Sequence, residues 1–335
     1  MQSYKSIRFS ERLDYSFAIG RVRALEAYFL DRQWYERLIR TKDAQQFLAT
    51  VFESRYSQFF DELSRFNPPL IFTRAQEENL RFCLQYAAEE WLEALLRLPA
   101  EVYNLKVVLK QALKEEVGLG EKWELPVMRG DFARGRKWQE IIALINKEGA
   151  EAFSLAQERS DPSLIDIYLD RLEQRLALQL SSGQDYAFGY YRLFADLKNL
   201  VTALRVRLLG EDERVLAEAL LPGGRLPAKT VLELVKVDEE TLDTLLSSIG
   251  RYAPLIRIGL KSVKEKGSLV LMEREVRQTL LDYINLARYV ALGYEPLLRF
   301  YRLWENELTN LRLLYAAKLA GLGAEECQDL VVYGF

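Results

Sequence analysis

The chain has 335 residues, 49% hydrophobic and 28% charged, with a net charge of −3 and a pI near 5.5. That composition can bury a sizeable core, and its mild acidity argues against a general nucleic-acid binder, whose affinity rests on neutralising phosphates. There is no histidine, which removes the usual general base, the commonest metal ligand and the Ser-His-Asp triad together.

In chain order, Tyr15, Ile19, Val22, Leu25 and Phe29 are spaced 4, 3, 3, 4 and predict a helix over 13–40, with Arg21 and Arg23 flanking its stripe. Thr41 is expected to cap the next helix. The segment FNPPLIF, 66–72, is a break, because two prolines cannot sit inside a helix. A long helical stretch follows from Arg74, and Pro99 is placed near the start of the helix carrying Asn104. The polar, glycine-containing stretch 115–126 closes this first unit. The second opens on the basic patch MRGDFARGRKW, with helices from Trp138. Asp161-Pro162 starts another helix, and 180–185 is a loop. Tyr191, Phe194, Leu197, Val201, Leu204 and Leu208 then form a stripe at 3, 3, 4, 3, 4. Gly210 ends it behind Arg205 and Arg207, the cations that a helix C-terminus favours.

The stretch LLPGGRLPAK, 220–229, is the best linker candidate. In the third unit RYAPL makes a turn and KEKGS a loop. The final helix spaces Leu297, Tyr301, Trp304, Leu308, Leu311, Tyr315 and Leu319 at 4, 3, 4, 3, 4, 4. Strand-like alternation is scarce, so the expected class is all-α, built of stacked helical hairpins.

One short string recurs. Acidic-x-x-Asn-Leu appears at Glu101/Asn104, Asp196/Asn199, Asp282/Asn285 and Glu307/Asn310, with a near copy at Gln76/Asn79. Five of the eight asparagines precede a leucine, more than leucine-rich helices supply by accident. Asn104, Asn199 and Asn310 are separated by near-equal stretches, each close to a third of the chain. Asn79 precedes Asn104 by the same offset as Asn285 precedes Asn310. This spacing predicts one helical unit used three times, over 1–125, 126–222 and 223–335, arranged with pseudo-threefold symmetry. Asparagine is a poor helix former, so keeping it mid-helix needs a reason. Glu101, Asn104, Asp196, Asn199, Glu307 and Asn310 are read as repeat anchors, each asparagine bonding across to a neighbouring helix to fix register. A polar lining for a binding surface is the functional alternative.

Nothing here signals catalysis. GxxxxGK[ST] is absent from the sequence, Gly118-Leu-Gly120 and Gly223-Gly224 read as loops, and the acidic pairs read as solvated helix faces. Arg129, Arg134, Arg136 and Lys137, with Phe132 and Trp138, resemble a minimal nucleic-acid surface. The patch is short and stands alone, and an ion-paired loop or an acidic protein partner suits it better. Cys83 and Cys327 have no metal-like or disulfide-like spacing, so a reducing cytoplasmic setting and no cofactor are expected. The start, MQSYKSIRFSER, has no apolar core, so no signal peptide is expected. The longest uncharged runs, 44–52 and 176–184, are nine residues each, far below the ~20 that a membrane span needs.

Three stretches carry a family resemblance. They are Tyr15-Ser-Phe-Ala-Ile-Gly-Arg21-Val-Arg23-Ala-Leu-Glu26, then Asp196-Leu-Lys-Asn199-Leu with Arg205, and Glu295-Pro296-Leu with Tyr301, Glu305, Glu307, Asn310, Arg312 and Lys318-Leu-Ala-Gly321. In this order and with these gaps, the chain resembles the C-type subunits of V/A-type ATPases and ATP synthases, the family that includes the d-type component of the vacuolar proton pump. Glu101 and Tyr103 depart from the pattern, which has an Asp-containing helix there. The resemblance implies a funnel-shaped, all-helical, non-catalytic subunit with three similar domains on the cytoplasmic side of the membrane. Its implied partners are the central axle subunits and the proteolipid ring of the rotor, with no nucleic acid and no membrane span of its own. Arg21, Arg23, Arg129, Arg134 and Arg136 are candidate contacts, because arginine is enriched at interfaces. A helical scaffold unrelated to rotary pumps, or an all-α hydrolase using carboxylates, are the rival readings of the residues alone.

Overall fold

The computed structural model describes residues 7–114 and 136–334, apart from the side chains of 136–142 and 239–240. Its helices in chain order are α1 (Ser16–Glu26), α2 (Arg32–Ile39), α3 (Ala44–Phe52), α4 (Glu62–Phe66), α5 (Pro69–Tyr86), α6 (Glu90–Lys114), α7 (Arg136–Arg159) and α8 (Ser163–Leu180). They continue with α9 (Asp185–Leu209), α10 (Glu213–Ala219), α11 (Ala228–Lys236), α12 (Glu239–Ile249), α13 (Ala253–Lys266), α14 (Val270–Ile284), α15 (Glu295–Leu319) and α16 (Ala324–Gln328). Short 3-10 turns lie at Leu13–Tyr15, Arg55–Phe59, Gly250–Tyr252 and Asn285–Ala287. All regular structure among the described residues is helical, the class expected from the sequence.

Several boundaries differ from the sequence reading, each for a local reason. The helix expected over 13–40 is broken between α1 and α2. There the Asp31 side chain accepts from Trp34 N at 2.9 Å and opens α2, while the Leu30 amide is taken by a side chain and leaves the helical ladder. Asp43, not Thr41, caps α3, accepting from Gln46 N at 2.8 Å. The Thr41 hydroxyl instead donates to Leu38 O at the end of α2. Pro99 lies inside α6, where an interior proline costs about 3 kcal/mol. Leu95, Leu96, Leu98 and Val102, all buried around it, offset that loss. Gly210 does end α9, with φ +69°. The stretch 115–126 lies outside the described residues.

The chain divides into two compact units. The central unit comprises Met1–Ile7 and Ala87–Ala253, and the terminal unit joins Arg8–Tyr86 to Pro254–Phe335. In the central unit α6, α7 and α8 pack side by side, and α9 packs against α8, α10 and α11. Gly149 on α7 admits the buried Leu105 of α6, whose Cδ2 would lie 2.8 Å from an added Cβ. Fifteen of the 25 residues of α9 are buried, so it is enclosed rather than amphipathic. In the terminal unit that place belongs to α15, with α1, α3, α5 and α14 packed around it and 16 of its 25 residues buried. The two enclosed helices carry two of the four acidic-x-x-Asn strings, Asp196/Asn199 and Glu307/Asn310.

Candidate functional site, a carboxylate latch built twice

In the central unit Asp196 on α9 is 1% exposed. Its Oδ1 accepts from the backbone amides of Arg225 at 2.7 Å and Leu226 at 2.9 Å, and its Oδ2 accepts the Tyr252 hydroxyl at 2.6 Å. Gly224 makes the close wrap possible, since a Cβ there would sit 2.3 Å from Asp196 Oδ1. One turn on, Asn199 grips both faces of a single residue. It donates to Leu221 O at 2.9 Å and accepts from Leu221 N at 2.8 Å. Near the helix end Arg207 donates to Leu234 O at 2.9 Å and Val237 O at 2.6 Å, satisfying the end of α11.

The terminal unit repeats the arrangement on α15. Glu307 takes the place of Asp196 and is 3% exposed. It accepts from Leu30 N at 2.6 Å, the Tyr56 hydroxyl at 2.7 Å and Arg55 Nη2 at 2.8 Å. Asn310 donates to Val332 O at 2.7 Å and accepts from Val332 N at 3.2 Å and from Arg277 Nη1 at 2.9 Å. Lys318 donates to Ile39 O at 2.8 Å, at the end of α2. Each asparagine holds a residue 22 positions further on. Tyr252 follows Leu226 by the same interval as Tyr56 follows Leu30. One buried carboxylate therefore fastens both ends of a helical hairpin, α11–α12 in the central unit and α2–α3 in the terminal unit.

Asn310 does bond across to a neighbouring helix, through Arg277 of α14, and both Asn199 and Asn310 also grip main chain. Leu221 and Val332, whose backbone they grip, lie outside the helices. An α-helix has already used its own N–H and C=O groups on the i→i−4 ladder, so a non-helical residue is the one able to offer both to an amide. The near copy Asn79 does reach a helix, donating to Tyr301 O of α15 at 3.1 Å. A carbonyl retains a second lone pair even within the ladder. Asn285 accepts from Arg299 Nε at 3.0 Å and donates to Gly334 O at 3.3 Å. The segment 220–229, read as a linker, is thus a strap clasped to α9.

Burial dominates the electrostatics. It pushes the Glu307 carboxyl above its ordinary value, against the pull of Arg55 and the Tyr56 hydroxyl. Burial first, and then the Glu307 charge, push the Tyr56 hydroxyl far up. Burial and the bond to Asp196 likewise raise Tyr252. Both phenols stay protonated and act as donors. Stranding one member of a buried ion pair such as Arg55–Glu307 costs about 3–5 kcal/mol. Among the described residues no group of three or more His, Cys, Asp or Glu could hold a metal. No described helix is long and apolar enough to cross a membrane.

The remaining sequence candidates fall apart from this pattern. Glu101 is buried and Asn104 half-buried on α6, and the position that would answer to Leu221 and Val332 for Asn104 lies outside the described residues. Arg21 is exposed on α1. Arg23 is engaged within its unit, pairing with Glu26 at 3.0 Å and donating to Val290 O at 3.2 Å. Arg129 and Arg134 lie outside the described residues, as does the side chain of Arg136. Sequence reasoning missed Arg55, Tyr56, Arg251 and Tyr252, and it named Arg207 and Lys318 without seeing that each caps the end of a neighbouring helix. Part of their signal was present in the sequence, in an Arg-Tyr dipeptide that recurs at 55–56, 251–252 and 288–289, and in two cations set at the same offset from Asn199 and from Asn310.

Comparison with known proteins extends over nearly the same length. Residues 18–330 match the model of the family described as ATP synthase (C/AC39) subunit. The chain is 21% identical to the C-type subunit of the A-type ATP synthase of Methanococcoides burtonii, covering 95% of this chain and 94% of that one. It is 24% identical to the protein of the same name from Thermococcus kodakarensis, covering 93% and 88%. For that of Thermoplasma volcanium the figures are 23% identity, 96% and 98%.

Proposed function

The chain belongs to the ATP synthase (C/AC39) subunit family, and from that premise we propose that it is the non-catalytic central-stalk subunit of a V/A-type rotary ATPase or ATP synthase. In this reading it is a socket that couples the central axle to the membrane rotor ring during ATP-linked proton or sodium transport. The observation that carries the proposal is the family match over residues 18–330, which takes in both latch carboxylates, Asp196 and Glu307. The structure supports it physically. Torque transfer requires a stiff body, and two enclosed helices, α9 and α15, packed at the centre of their units are stiffer than loops.

The three sequence units 1–125, 126–222 and 223–335 are proposed as the basis of the socket's symmetry, with Glu101/Asn104, Asp196/Asn199 and Glu307/Asn310 as anchors. Its partners are the axle subunits on one side and the proteolipid ring on the other, met from a peripheral position on the cytoplasmic face. Arg21, Arg23, Arg129, Arg134 and Arg136 are the proposed contact arginines, of which Arg21 is exposed on α1. Expressed beside the other rotor subunits, the chain should co-purify with the axle and bind the detergent-solubilised ring, while hydrolysing no ATP alone. Failure to associate with either, or ATP hydrolysis by the isolated chain, overturns the reading.

A further inference from the structure

The two latches are built alike and fastened unequally. At the end of the terminal hairpin, Ser54 has extended backbone (φ −102°, ψ −175°). Its hydroxyl donates to Val51 O at 2.6 Å and accepts from Tyr56 N at 3.2 Å. Arg55 then pairs directly with Glu307 at 2.8 Å. Its guanidinium lies 4.3 Å from the Trp304 ring, 4.5 Å from Phe29 and 5.2 Å from Tyr56. Helix α3 packs on α15 and on the Arg55–Phe59 turn.

The equivalent positions in the central unit hold looser chemistry. Gly250 replaces Ser54, with φ +61° and ψ −117°, a conformation that glycine adopts freely and side-chain-bearing residues resist. Arg251 is exposed. It reaches the Tyr252 hydroxyl at 2.6 Å and lies over that ring at 4.7 Å. Helix α12 packs chiefly against α11 and its own following turn. The turn is tied to α9 by the Tyr252–Asp196 bond of 2.6 Å, one side-chain hydrogen bond from a phenol, where the terminal latch adds the direct Arg55–Glu307 pair. At its other end α12 is entered through the extended residues Val237 and Asp238.

From this asymmetry we infer that α12 is a hinged arm of the central unit. The latch on Glu307 is permanent, and the latch on Asp196 is releasable. When Tyr252 leaves Asp196, α12 swings between its pivots at Val237–Asp238 and Gly250. The arm forms one wall of an open groove of about 840 Å³, which Lys229, Leu232 and Lys236 of α11 and Thr241, Thr244 and Leu245 of α12 help to line. Its width follows the arm. The device therefore gates a mixed apolar and charged surface by local opening rather than by unfolding.

Hydrogen exchange of the full chain, read by mass spectrometry, tests this. In the unaltered protein the amides of 239–249 should exchange at least about tenfold faster than those of 44–52, as the low-stability end of a structure does. Tyr252→Phe should speed 239–249 by a further factor of about ten, the loss expected for one hydrogen bond to a charged group. Residues 44–52 and α9 should be unaffected. Tyr56→Phe should produce no selective loosening of α3. Equal protection of α3 and α12 in the unaltered protein overturns the inference, and that comparison decides even if a variant does not fold. So does a Tyr252→Phe effect spread evenly over α8, α9 and α11.

Discussion

Asn199 and Asn310 are each satisfied by a main-chain N–H and C=O of one non-helical residue. Replacing either with alanine strands both groups in a buried place. The expected loss is about 1–3 kcal/mol per site, read as a lower denaturant midpoint, and a midpoint that stays put refutes the role. Glu307 makes a pH prediction. Its carboxyl is raised above the ordinary 4.5 by burial, so the folded state holds that proton more tightly than the unfolded chain does. The group's contribution is therefore complete below 4.5 and is lost as pH rises through the raised value. Glu307→Gln should flatten this part of the stability profile, and superimposable profiles for the two proteins argue against it. At this scale the asparagines were legible because they stand where helices dislike them. Tyr56 and Tyr252 were hidden among 18 tyrosines, because a phenol at helical spacing reads as core.

Periodicity located the long helices well, since an enclosed helix needs a long apolar run and both α9 and α15 have one. It failed where polar chemistry overrides the period. The break between α1 and α2 is set by Asp31 and by the capture of the Leu30 amide, and the capturing carboxylate lies 277 residues away. The strap 220–229 reads as a linker because glycine and proline usually mark loops. Here Gly223 and Gly224 let the chain pass close to Leu178 and Asp196. Gly224→Ala, with 2.3 Å from its Cβ to Asp196 Oδ1, should destabilise by more than Gly210→Ala. Position 210 is left-handed (φ +69°) with open space around it, so alanine there should lose only about 1 kcal/mol. Thermal melts of the two variants check the ranking, and a reversed order contradicts the close wrap.

For the whole molecule, the all-α class followed from scarce alternation and abundant 3.6-residue stripes. The family followed from three motifs in order. What a reading in chain order could not reach is that the stretch from Arg8 to Tyr86 folds with the one from Pro254 onward. Adjacency in sequence is a good guide to adjacency in space only for contiguous units, and the terminal unit is not contiguous. The hairpin α2–α3 answers to α15 just as α11–α12 answers to α9, yet the first precedes its helix in the chain and the second follows it.

That order has a consequence for birth rather than for stability. On the ribosome every residue of the central unit has been made once Ala253 has emerged. The Leu30 amide and the Tyr56 hydroxyl appear early, and the carboxylate that receives both is made 277 residues after the first of them, a wait of roughly 15–55 s at ordinary rates of synthesis. Throughout that interval the hairpin α2–α3 exists without its anchor, and the terminal unit closes over it only when Glu307 arrives.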